Sequence, residues 1–267
     1  MPAVGWRSFV AVGDSFTEGL DDPYPDGSGY RGWADLVATR LAEREPGFAY
    51  ANLAVRGRLF PAIVDDQVPV ALEMRPDLIS FAGGGNDALR RRFDPYALVT
   101  RFDDVIRQLR ATGADVVLFR FADLSARLPG ARVILPRTKI LNQAVGEVAD
   151  KYGARLVDLW ADAEFGNPVL WGVDRLHLST AGHLRVAAHV LAALDLTADD
   201  DWWAVPPPPR RSWPAARAAD LRWTTQHLAP WLKRRIQGKS SGDTVAAKRP
   251  ALSPLDLPGD QGQIGAE

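Results

Sequence analysis

The chain has 267 residues, 46% of them hydrophobic and 24% charged, with a formal net charge of −1. That is a globular composition, and the near-neutral charge lacks the basic surface that a nucleic-acid partner requires. The lack of any cysteine excludes disulfides, thiolate metal sites and a cysteine nucleophile.

No run reaches the ~18 consecutive apolar residues that a membrane-spanning helix needs. The first residues, MPAVGWRSFVAVGDS, lack the basic and apolar regions of a secretory leader, so a soluble cytoplasmic protein is expected. In chain order, short apolar or β-branched runs fall at 9–12, 48–53, 78–82, 116–121 and 155–159. Helix-period stretches lie between them: GWADLVATRLAERE, YALVTRFDDVIRQLRATG and TKILNQAVGEVADKYG. In the second, Leu98, Phe102, Val105, Ile106 and Leu109 recur at steps of three and four, one face of a helix. A last helix is expected from a cap at Ser179 or Thr180 to about Leu194. Strands alternating with helices imply one α/β domain over 1–198, with about five strands, mostly parallel, and helices on both faces.

Beyond it the composition changes. Residues 199–236 hold paired tryptophans and four consecutive prolines, which favour an extended linker. An amphipathic helix pair should follow, interrupted at Pro230, with Leu221, Leu228, Trp231, Leu232 and Ile236 as its apolar side. Residues 237–267 are polar and rich in Gly, Pro and Ser, and read as disordered.

The first strand breaks into Gly13-Asp14-Ser15. In a parallel sheet the carboxyl ends of the strands meet at one edge, where ligands bind. Three other polar segments follow strands to that edge: NLAVRGR (52–58), AGGGNDALR (82–90) and WGVDRLHLSTAGH (171–183). An Asp-x-x-His loop lets the Asp174 carboxylate fix one nitrogen of His177 and leave the other free to take a serine proton. Alone, the pair would equally suit a helix-capping aspartate and a surface histidine. His183 and His189 lie in a helix-period stretch where packing explains them.

Gly13-Asp14-Ser15, Gly57 in NLAVRG, Asn86 in GGND and Asp174/His177 in DRLH resemble, in order, the four blocks of the SGNH hydrolases, the GDSL-type esterases and lipases. The first block has Phe16 where leucine is usual, and the second has Ala54 where glycine is frequent. The resemblance covers about residues 8–195, with uncharacterised actinobacterial-type members closest. It implies a flavodoxin-like three-layer α/β/α sandwich and hydrolysis through an acyl-serine. Ser15 would be the nucleophile, His177 the base and then acid, and Asp174 the orienting carboxylate. The N–H of Ser15, the N–H of Gly57 and the Asn86 side chain would form the oxyanion hole. Such chemistry needs neither metal nor cofactor.

Asp14, Tyr24, Tyr30 and Trp171 are the candidate substrate-binding residues. Arg56, Arg58 and the run Arg90-Arg91-Arg92 suit either an anionic substrate or a solvated surface. The acyl and alcohol parts stay open among esters, thioesters, lysophospholipids and acetylated sugars. A non-catalytic binding protein on the same fold is the rival reading. A second is a tail that docks on the enzyme's own surface, a partner or an anionic membrane through Trp231, Lys233, Arg234 and Arg235. GKSSG (238–242) and GSGYRG (27–32) match nucleophile-elbow and dinucleotide patterns without the strand either requires.

Overall fold

The first apolar run is the strand β1 (Ser8–Gly13), and it lies inside the sheet with a parallel neighbour on each side. The architecture comes from a computed structural model that describes residues 5–125, 127–128, 130–208, 212–230 and 241–255. After β1 come α1 (Ser15–Glu18), α2 (Gly32–Ala42), β2 (Ala49–Asn52), α3 (Phe60–Asp66) and α4 (Val68–Met74). Then follow β3 (Leu78–Ala82), α5 (Gly85–Ala88), α6 (Pro95–Ala111), β4 (Asp115–Arg120), α7 (Ala131–Tyr152) and β5 (Arg155–Asp158). The last elements are α8 (Thr180–Ala193), α9 (Asp200–Trp203), α10 (Trp213–Trp223) and β6 (Arg249–Pro254).

The strand order is β5-β4-β3-β1-β2-β6, parallel except for β6. Side chains alternate across a strand. Phe9 and Ala11 therefore join a core with Trp33 of α2 and Val186 of α8, while Val10 and Val12 join one with Ile63, Phe102 and Val145 of α3, α6 and α7. These two cores make the fold a three-layer sandwich. The chain runs from β1 to β2 on one side and returns to β3 on the other, so the order reverses at β1. Ligands of doubly wound sheets bind at that reversal.

The end of β1 is fixed by contacts that only a glycine permits. A Cβ on Gly13 would stand 2.5 Å from Thr17 Oγ1 and 2.8 Å from the Ala82 carbonyl. Gln67, between α3 and α4, pairs its side-chain amide with this residue in both directions. It accepts from Gly13 N and donates to Gly13 O, each at 2.9 Å.

Two expectations change. Helix α7 starts at Ala131, well before the helix-period stretch that opens at Thr138, and contains Pro136, which lies past the first turn and forgoes one hydrogen bond of the ladder. In the segment expected to be disordered, residues 249–254 form a sixth strand, antiparallel to β2. Composition hides this because the binding energy comes from elsewhere. The edge of β2 offers unpaired backbone groups, and Lys248 buries its ammonium against Asp35 at 2.8 Å while donating to the carbonyls of Tyr30 and Arg31.

On α10, Leu221, expected on the apolar side, is 68% exposed, while Trp223 is buried. Trp231, Leu232, Lys233, Arg234, Arg235 and Ile236 lie outside the described residues. Among the described residues, no helix is long and apolar enough to cross a membrane.

Gln67→Met keeps the side-chain length and removes both hydrogen bonds to a buried backbone. Urea unfolding should show a loss of about 2–4 kcal/mol, the usual cost of orphaning one donor and one acceptor.

Candidate active site

Ser15 is the first residue of α1, just past the end of β1, and it is 7% exposed. Asp14 caps this one-turn helix by accepting from the N–H of Phe16. The long segment from β5 to α8 brings the partner. Residues 171–178 form a loop closed by a bridge between Trp171 and Leu178 and by the Gly172 N–H to His177 carbonyl hydrogen bond of 2.8 Å. Within it, Asp174 Oδ1 accepts from the N–H groups of Leu176 and His177. Its other oxygen lies 2.5 Å from His177 Nδ1, and His177 Nε2 lies 2.9 Å from Ser15 Oγ.

The electrostatics follow from burial and from these partners. Burial pushes the Asp174 carboxyl up, but the His177 side-chain and charge interactions and two backbone N–H groups outweigh it and bring it to about 2. Burial pushes His177 down, yet Asp174, and then the charges of Asp21 and Asp14, raise it above the ordinary 6.5. Asp14 is pushed up to about 6, by burial first and with Asp87 adding to it. Oxygens of Asp21 and Asp174 and a nitrogen of His177 lie within 4.8 Å of one another. Of these, Asp174 and His177 are hydrogen-bonded to each other.

Asn86 is the second residue of α5, after β3, and lines the same cleft as Ser15. Its Nδ2 donates to Asp14 Oδ2 at 3.0 Å and to the Arg58 carbonyl at 3.1 Å. Gly57, with φ 72°, sits in the left-handed turn just before Arg58. The loops after β1, β2, β3 and β5 therefore meet at one edge.

From Ser15 a cleft of about 110 Å³ runs between the loop after β4 and the first half of α7. Phe16, Phe121, Ile134, Leu141, Phe165 and Trp171 give it apolar walls. Trp171 thus stands where the sequence suggests, fixed by its indole N–H to the Phe165 carbonyl and by Arg127 over its ring. Tyr24 and Tyr30 do not line this cleft. The Tyr24 hydroxyl donates to Asp35 at 2.6 Å, and the Tyr30 ring lies under the guanidinium of Arg56. Arg56 in turn pairs with the buried Glu18, and Arg58 with Asp66, so neither is an unpaired anion site. His183 and His189 are structural, the latter on Asp162 at 2.8 Å.

Phe121 follows β4 to the productive edge, so its place was available from strand order. Ile134 and Leu141 were not, because an inward helix face reads the same whether it fills a core or a cleft.

A family model described as the GDSL-like Lipase/Acylhydrolase family matches residues 11–185. The chain is 26% identical over 193 residues to the esterase TesA of Pseudomonas aeruginosa, covering 70% of this chain and 88% of that protein. Among solved structures it resembles TesA with a TM-score of 0.55 at 26% identity, covering 70% of this chain and 97% of that one. It also resembles LAE5, an alpha/beta hydrolase enzyme from a Lake Arreo metagenome, with a TM-score of 0.60 at 20% identity, covering 72% and 97%. A lipase/acylhydrolase from Enterococcus faecalis follows at TM-score 0.56 and 24% identity, covering 70% and 94%. The last two likenesses bear on the fold alone.

His183 is 1% exposed and accepts from the Trp33 N–H at Nδ1, so Nε2 carries the proton and faces the Leu20 carbonyl. Burial lowers its pKa to about 4. The folded chain therefore binds fewer protons than the unfolded chain between that value and the ordinary 6.5. Stability from this group is complete above pH 6.5 and falls as pH drops toward 4. Thermal melts across that window should show a shallower loss in His183→Gln than in wild type.

Proposed function

The chain belongs to the GDSL-like lipase/acylhydrolase family and is an SGNH-type ester hydrolase, and we propose that it works through an acyl-serine formed at Ser15. The observation that carries this reading is the relay from Ser15 Oγ to His177 Nε2 at 2.9 Å and from His177 Nδ1 to Asp174 at 2.5 Å. Ser15 Oγ attacks the acyl carbon while its proton passes to His177 Nε2. Asp174 holds the imidazole by Nδ1 and stabilises the imidazolium. The tetrahedral intermediate collapses, the acyl carbon to alkoxide bond breaks, and His177 returns the proton to the leaving alcohol. Water then repeats the sequence on the acyl-serine.

The negative oxygen of each intermediate takes hydrogen bonds from the backbone N–H groups of Ser15 and Gly57 and from Asn86. Both amide hydrogens of Asn86 are engaged at rest, by Asp14 and by the Arg58 carbonyl. One must turn or be shared as the oxyanion forms, and its release from Asp14 frees a carboxyl that burial already disfavours as an anion.

The apolar walls favour an ester whose acyl group is a hydrocarbon chain over an acetylated sugar. Arg56 and Arg58 are paired with Glu18 and Asp66, so neither favours an anionic substrate. The C-terminal extension serves the enzyme's own surface in this reading, because Trp223 and Asp220 of α10 contact the Asp174 loop.

Wild type and Ser15→Ala are to be assayed on p-nitrophenyl esters of increasing chain length. Turnover should rise beyond the acetate and should fall by about 10⁶ in Ser15→Ala. Asn86→Ala should lower kcat by ~10²–10³. Leu141→Trp, in the α7 wall, should lower kcat/KM on a long ester by ~10-fold and spare the acetate. Turnover that persists in Ser15→Ala would refute the acyl-serine.

A further inference from the structure

The loop carrying Asp174 and His177 is gripped by a part of the chain beyond the family match, which ends at residue 185. Trp223, at the end of α10, donates its indole N–H to the main-chain carbonyl of Asp174 at 2.8 Å. The face of its ring lies 4.7 Å from the Arg175 guanidinium. Arg175 Nη2 also pairs with Asp220 Oδ1, one helical turn earlier on α10, at 2.7 Å. Three contacts thus converge on two consecutive residues, Asp174 and Arg175.

Those two residues need holding. Arg175 has φ 63°, in the left-handed region that a residue with a Cβ enters only at a cost. This turn is what lets the Asp174 carboxylate face back toward His177 Nδ1. The loop's own ties are the Gly172–His177 hydrogen bond, the Arg175 N–H to the Gly172 carbonyl at 3.1 Å, and the two N–H groups that Asp174 accepts. The Arg175 N–H holds the Asp174–Arg175 peptide plane from its amide end, and Trp223 holds it from its carbonyl end.

The same extension reaches the second block. A Cβ on Gly242 would overlap the carbonyl oxygen of Arg56, the residue before Gly57. From there the chain runs through Lys248 into β6. One segment therefore touches both the Asp174 loop and the Gly57 loop.

We propose that the C-terminal extension is a positioning element of the active site, in which Trp223, assisted by Asp220, sets the Asp174 loop so that its carboxylate orients His177. This rests on the acyl-serine reading above. Trp223 and Asp220 touch no reacting atom and act through Asp174 and Arg175. The Asp220 side chain is 46% exposed, so its ion pair is screened and Trp223 carries the larger share.

Trp223→Phe keeps a ring for Arg175 and removes the N–H donor. Its kcat on a p-nitrophenyl ester should fall by ~10-fold, as expected for a small misplacement, with KM about unchanged. The imidazole titration of His177, followed by NMR in the full chain, should move to lower pH, because a less well-aimed Asp174 stabilises the imidazolium less. Asp14 and Asp21, the other carboxylates acting on His177, are unchanged by this substitution. Asp220→Asn should shift both quantities the same way by less, and it decides alone if Trp223→Phe does not fold. Folded variants with wild-type kcat and an unmoved His177 titration would overturn the proposal. So would a loss of activity that only tracks thermal destabilisation while the titration stays put. Should wild type hydrolyse no ester, the acyl-serine reading fails by itself, and the His177 titration still tests the positioning.

Discussion

The contact between Ser15 Oγ and His177 Nε2 joins residues 162 positions apart, and most of the architecture serves to make it. Both residues stand at the carboxyl edge of the sheet, Ser15 at the start of α1 after β1 and His177 on the loop after β5, although three strand positions separate β1 from β5. The long segment before α8 spans that distance. The contact therefore depends on how rigidly each end is held. Ser15 is held through Gly13, which Gln67 grips by both backbone groups. Thr17 is held by Asn52, whose Nδ2 donates to its carbonyl. His183 ties α8 to Leu20, just beyond α1.

Charge is the second constraint. Asp174, Asp14 and Asp21 all act on the half-buried His177 and favour its protonated form. A base held by carboxylates takes a proton readily, and it is idle whenever it already carries one. Asp14 moderates this balance. Its raised pKa makes it a weaker anion near neutrality than an exposed aspartate. It also shares Asn86, so the charge beside the nucleophile and the orientation of the amide are coupled through one hydrogen bond.

Much of this was legible in the sequence, and what escaped did so for physical reasons. Short apolar or β-branched runs reported the five parallel strands, and period-3.6 patterns the main helices, because strands covered on both faces are apolar throughout. Strand order then put Ser15, Asn86 and the Asp174–His177 loop on one edge. Tyr24 and Tyr30 misled because the loop after α1 folds back on itself, with a bridge between Pro23 and Tyr30, and spends its aromatics on Asp35 and Arg56. The α7 cleft wall needed tertiary knowledge. Trp223 was hidden because its value lies in one N–H aimed at a distant carbonyl, which no local periodicity encodes.

The sixth strand alters what the sheet presents to other molecules. A bare β2 edge would offer a row of free amide and carbonyl groups to any extended chain. With β6 laid against it, the outermost strand carries Pro250 and Pro254, two residues without an N–H to donate. The opposite edge is β5, only four residues long. Sheet-to-sheet growth between copies is thereby discouraged at both margins, and a tail of unpromising composition acts as a selvedge that keeps the weave from running on.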